Sequence, residues 1–230
     1  MFETTIPLPW FDVIVLLVVG VLELIFTIYL FVRYERSPAI TAFSFLSLCV
    51  TGWVLTNGIG LFFTRGGFVE DIMYRFSFIF AMFLFSLLYI FVLLFPYPKL
   101  QIDGRRLLFM LMPSAILTPF IIWSHALVEG FERTSSANTI FGNDYWIYSI
   151  YIFIMYILAM TEIINRIKKL EGIQKWRMQI IFYALLFSGI IGFSNQLILP
   201  YIFQIDISAS LGPGSSIIWL GSMWYIVKKK

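Results

Sequence analysis

Seven apolar stretches, each about as long as a membrane is thick, constrain this chain more than any other feature in it. A bilayer core of about 30 Å needs about 20 apolar residues per helix. Runs of that order occupy residues 11–32, 41–63, 74–95, 107–123, 145–165, 179–203 and 211–227. They are continuous, whereas the strands of a membrane barrel alternate apolar and polar residues. Backbone polar groups in lipid must be satisfied internally, so each run is read as a helix. Hydrophobic residues make up 60% of the chain and charged residues 13%, against roughly 45–50% and 25% in water-soluble domains. The expected fold is therefore all-α, an integral membrane bundle of seven helices forming one domain over residues 1–230.

The basic residues orient the bundle. Arg33 and Arg36 follow the first run; Lys99, Arg105 and Arg106 the third; Arg166, Lys168, Lys169, Lys175 and Arg177 the fifth; Lys228, Lys229 and Lys230 the seventh. The opposite loops hold only Arg65, Arg75 and Arg133. By the positive-inside rule the N-terminus lies outside and the C-terminus in the cytoplasm. The N-terminus has Glu3 in place of a basic region and no small-residue cleavage pattern, so the first run is read as a permanent helix and not a signal peptide. Trp10, Trp123, Tyr145, Trp146, Trp176, Trp224 and Tyr225 fall near the interfaces, as anchoring aromatics do. The single cysteine, Cys49, has no partner for an intrachain disulfide and reads as a small apolar residue in a helix.

Composition and motifs argue against several functions. The net charge of +3 is accounted for by basic flanks against anionic lipid, with no nucleic-acid patch. Phosphate loops, HExxH and nucleophile elbows are all missing, so no catalytic residues and no enzyme activity are expected. The external segment SHALVEGFERTSSANTIFGND carries the single histidine, His125, with Glu129 and Asp144, too sparse a set for a metal. A retinal pump needs a lysine in its last helix for the Schiff base, and LGPGSSIIWLGSMWYIV contains none. No cofactor is expected.

Polar and small residues inside spans mark where helices meet, because lipid offers them no hydrogen bonds. Gly20, Glu23 and Thr27 share a face of helix one, Trp53 and Asn57 stand four apart on helix two, and helix six carries Ser188, Gly192, Asn195 and Gln196. Helix seven opens on Gly212, Pro213, Gly214, Ser215 and Ser216, an irregular start. At about 1.5 Å of rise per residue, Asn195 lies about 24 Å along helix six, level with Asn57, Ser215 and Ser216, and Glu23 lies about 18 Å along helix one, just beneath. Glu23, Trp53, Asn57, Asn195, Gln196, Ser215 and Ser216 are the candidate ligand-binding residues of an outer-half pocket. The alternative is that they only hold the bundle together.

RYERSP with FSFLSLCVTGW, FVLLFPYP, GNDYWIYSIY, WRMQIIFYALLFSG and LGPGSSIIWLGSMWYIV resemble the seven-transmembrane sensor region at the N-terminus of many prokaryotic histidine kinases. The resemblance implies a multi-pass protein of the prokaryotic plasma membrane. In such a protein the bundle receives a small or amphiphilic ligand and signals to a cytoplasmic kinase or other output domain in cis or in trans, with homodimerisation left open. The sequence ends at Lys230 without a phosphoacceptor helix or ATP-binding domain. It is read either as an excised sensor or as a stand-alone relative acting through a partner. A small seven-helix transporter is the alternative.

Glu23 poses the sharpest physical question. An ionised carboxylate at the bilayer centre costs about 3 kcal/mol on insertion scales, and protonating an ordinary glutamate at pH 7 costs about 3.7 kcal/mol. The two are too close to decide its charge. Glu23 is expected to face the bundle, to be often protonated, and to form the floor of the polar cluster.

Overall fold

The computed structural model describes residues 10–33, 37–63, 68–96, 102–123, 128–133, 137–142, 144–195 and 211–228. Six long helices come first: α1 (Trp10–Arg33), α2 (Pro38–Phe62), α3 (Phe68–Leu94), α4 (Gly104–Trp123), α5 (Tyr145–Lys169) and α6 (Gly172–Phe193). A short α7 (Leu211–Gly214) and then α8 (Ser216–Lys228) form the last passage. Among the described residues, six helices, α1 to α6, are long and apolar enough to cross a membrane. Their outward faces are apolar, with Phe11, Leu108, Phe109 and Phe153 well exposed, as a lipid-facing surface requires.

The helices start and stop for local reasons. Ser37 caps α2 by accepting from the Ile40 N–H at 3.3 Å, and Pro38 stands at the first helical position, where its missing N–H costs nothing. Gly172, at φ +57°, takes a left-handed conformation that lets the chain reverse between α5 and α6. Helix three begins about six residues before its apolar run and helix six about seven residues before its own. Polar residues such as Glu70, Lys175 and Arg177 are good helix formers and extend a helix beyond the hydrocarbon.

Neighbouring helices run up and down. Trp10 meets Phe62 and Phe31 meets Phe45, so α1 and α2 are antiparallel. Phe43 against Phe91 and Asn57 against Ser77 do the same for α2 and α3. Helices α3 and α5 run parallel, with Phe78 on Tyr148 near one end and Phe85 on Tyr156 further along. Trp176 on Tyr225 pairs α6 with α8 in opposite directions. This arrangement gathers Arg33, Arg105, Arg106, Arg166, Lys168, Lys169, Lys175, Arg177 and Lys228 at one end of the bundle.

The core follows from this packing. Leu16, Phe43, Leu46, Val50 and Val54 join Leu88, Phe91, Ile163, Met178 and Ile181 in one buried cluster, and Met82, Ile121, Tyr145, Tyr148 and Ile152 form a second. Gly52 lets α2 lie close to α3, since a Cβ there would stand 2.6 Å from the Phe80 ring.

The fold is the expected helical membrane bundle, with one added element and one correction. The segment after α4 carries a two-stranded antiparallel hairpin, β1 (Val128–Arg133) with β2 (Ala137–Phe141), which the reading by span did not include. Val128, Phe131, Thr139, Ile140 and Phe141 are strand formers at its paired positions, and a few residues suffice to close it. Tyr145 is not an interfacial anchor: it is 2% exposed and packs on Phe78 and Tyr148. Trp10, Trp123, Trp146 and Tyr225 are exposed near helix ends, as anchors would be.

Candidate functional site: a polar seam at a broken helix

The last passage is broken where its sequence is Gly-Pro-Gly-Ser-Ser. Proline has no N–H to donate and favours a first turn, and the flanking glycines weaken helix on both sides. The chain makes one turn over Leu211–Gly214, leaves helix at Ser215, and resumes at Ser216. Two serines meet the carbonyls exposed by the break. Ser215 Oγ donates to the Gly212 carbonyl at 2.6 Å, and Ser216 Oγ lies 2.5 Å from the Pro213 carbonyl oxygen. Ser215 Oγ also stands 3.4 Å from the Ser188 carbonyl of α6.

Glu23 reaches this break from α1. Its side chain is 2% exposed, and its Oε1 is 2.5 Å from Ser216 Oγ. Its second oxygen, Oε2, is buried and has no hydrogen-bond partner among the described residues. Gly20, one turn before, lies under Leu55 of α2, where a Cβ would collide with the leucine. Thr27, one turn after, bonds Ser47 at 2.6 Å and Thr51 at 3.2 Å. Thus Gly20, Glu23 and Thr27 are all buried on the face of α1 that meets α2 and the broken helix.

The other candidate residues are distributed differently. Asn57 is 8% exposed and spends both amide hydrogens, one on the Trp53 carbonyl at 2.7 Å and one on Ser77 Oγ of α3 at 2.8 Å. Its bonds tie α2 to α3, and no bond from it to Ser215 or Ser216 is present. Trp53 is half-buried one turn away, its carbonyl used by Asn57. Asn195 is half-buried just past α6, where Ser194 and Asn195 widen into a π-helical turn, a geometry frequent at functional sites. Gln196 lies outside the described residues, as do His125 and the side chain of Glu129. Among the described residues no group of acidic, histidine and cysteine side chains could hold a metal.

Three further polar arrangements escaped the reading by span. Ser86 of α3, Ser114 of α4 and Tyr151 of α5 close a ring of hydroxyls, with Ser114 at 2.7 Å from each of the other two and Ser86 hydrogen-bonded to Tyr151. Arg75, expected in a loop, is 6% exposed within α3; it pairs with Asp71 at 2.8 Å and donates to the Ile121 carbonyl at 2.6 Å, near the end of α4. Arg166 of α5 pairs with Glu162 at 2.6 Å and donates to the carbonyls of Phe95 at 2.7 Å and Leu93 at 2.8 Å, where α3 ends. Each guanidinium thus satisfies carbonyls that a helix C-terminus leaves free. Their sequence signal was a carboxylate four residues before each arginine.

These features define a multi-pass helical membrane protein whose polar groups are concentrated at helix contacts, with a broken last passage. The chain belongs to the family described as the N-terminal 7TM region of histidine kinase, whose model matches residues 15–228. Comparison with curated proteins and with solved structures gives no match.

A double-mutant cycle separates adhesion from ligand binding at Asn57. Asn57→Ala with Ser77→Ala should show a coupling of about 0.6 kcal/mol, and no more than about 1.7, in thermal unfolding of the detergent-solubilised protein. No coupling would show that the Asn57–Ser77 bond contributes nothing to stability.

Proposed function

We propose that the bundle receives a signal in the membrane and relays it through α1 and the broken α7–α8 passage to a cytoplasmic kinase or other output domain. The observation that carries this reading is the contact between buried Glu23 and Ser216, in a chain of the histidine-kinase sensor family. It joins the first helix to the first residue of α8, the helix that ends at the basic end of the bundle. A shift of α1 against the break therefore has a direct mechanical route along α8. In this reading the bundle performs no chemistry of its own.

In the proposed orientation the N-terminus is outside, and the basic end faces the cytoplasm of a prokaryotic cell. The break, Glu23, Ser215 and Ser216 then lie toward the outer half, with Trp53, Asn57, Asn195 and Gln196 as further lining for a small or amphiphilic ligand. A discontinuous helix is also what a transporter would use; solute uptake into proteoliposomes would return the protein to that class.

Two measurements test the proposal. In a Cys49→Ala background, a cysteine replacing Arg133 should react with an impermeant thiol reagent added to intact cells, and one replacing Lys169 should react only after lysis; the reverse pattern would invert the orientation. Glu23→Gln should leave the protein folded and change the basal or stimulated output of the signalling system by several-fold, and Glu23→Leu should fold as well. Output identical to wild type in both variants would remove Glu23 from the relay.

A further inference from the structure

The hydrogen atoms around Ser216 can be counted. Its Oγ lies 2.5 Å from Glu23 Oε1 and 2.5 Å from the Pro213 carbonyl oxygen. A hydroxyl carries one proton, a carbonyl carries none, and an ionised carboxylate only accepts. With Glu23 ionised, one hydrogen would have to serve two acceptors. With Glu23 neutral, its O–H donates to Ser216 Oγ, and the Ser216 hydroxyl donates to Pro213, so each contact has its own hydrogen.

The surroundings agree. Glu23 Oε2 is buried without a partner among the described residues, a condition far costlier for an anion than for the carbonyl oxygen of a neutral acid. Helices α2, α7 and α8 pack against this face of α1. On α2 the titratable group is Cys49; α7 has none; α8 has Tyr225 and Lys228, the latter twelve residues, or about 18 Å, beyond Ser216. On α1 itself Asp12 and Arg33 are ten or more residues from Glu23, and Tyr29 is partly exposed. The cationic residues of these elements, Arg33 and Lys228, are ten residues from Glu23 and twelve from Ser216 along their own helices, about 15 and 18 Å of rise.

We propose that Glu23 is a proton-binding site whose neutral carboxyl latches α1 to the α7–α8 break through Ser216. Loss of the proton removes the Glu23 donor, leaves a buried anion, and forces the Glu23 carboxylate and the Pro213 carbonyl to compete for the one Ser216 hydrogen. The ligand of this site is the proton, and its release loosens α1 from α8. The consequence for output rests on the sensor reading above; the proton site itself does not.

Infrared difference spectroscopy in lipid nanodiscs reads the proton directly. Wild type minus Glu23→Gln at pH 7 should show one carbonyl stretch of a protonated carboxyl, above the amide bands. Ser216→Ala should keep that band and shift its frequency, and this variant preserves the test where Glu23→Gln does not fold. An ionised-carboxylate stretch in the difference spectrum, or a band unmoved by Ser216→Ala, would overturn the latch. A protonated band together with unchanged kinase output would leave the proton site standing and count against the sensor reading, so the two claims fail separately.

Discussion

A polar group inside a bilayer must find its partner within the protein, and this requirement bears hardest on the break between α7 and α8. An unbroken helix satisfies its own backbone. A helix interrupted at Ser215 does not: the Gly212 carbonyl accepts from both the backbone N–H and the Oγ of Ser215, and the Pro213 carbonyl is met by Ser216 Oγ reaching back three residues. Ser216 is then held in place, and Glu23 can use it as a partner from α1. The break, the serines and the buried glutamate form one unit. Removing Ser216 would leave both the Glu23 carboxyl and the Pro213 carbonyl without the partner they share.

The same requirement shapes the rest of the bundle at lower stakes. Thr27 with Ser47 and Thr51, Asn57 with Ser77, and the ring of Ser86, Ser114 and Tyr151 join successive helix pairs through short neutral side chains. Such bonds contribute about 0.6 kcal/mol each, because polar groups also find partners in the unfolded, membrane-inserted chain. They specify which face meets which neighbour more than they stabilise. The arginine caps act at the two ends, where Arg75 and Arg166 close the carbonyls near the ends of α4 and α3. The region around Glu23 differs because it contains an ionisable group and an oxygen unpartnered among the described residues.

Six of the seven expected helices were legible from the apolar runs as spans among the described residues, since span length is set by bilayer thickness and not by tertiary contacts, and the seventh run is the broken passage of α7 and α8. Helix starts were less so: Glu70, Lys175 and Arg177 are polar, and nothing in a hydropathy pattern distinguishes polar helix from polar loop. The inward face of α1 could be read because Gly20, Glu23 and Thr27 recur at helical spacing, and the break could be read because Gly212, Pro213 and Gly214 all disfavour helix. Depth alone did not give the hydrogen-bond partner of Asn57. It shares a level with other polar residues, yet its partner is set by which helix it faces, and that is α3. The hairpin was missed because a short polar-tipped segment between spans carries no length constraint.

The central claim is that α1 is held against the broken passage at Glu23 and Ser216. Mercury cross-linking of a Glu23→Cys/Ser216→Cys pair in the Cys49→Ala background tests it most directly, with Thr27→Cys/Ser47→Cys as a pair whose wild-type side chains touch at 2.6 Å. Both pairs should bridge within one chain in native membranes, detected as protection of their thiols from later labelling. Bridging of the 27/47 pair without bridging of the 23/216 pair would contradict the latch and return Glu23 to a role confined to α1.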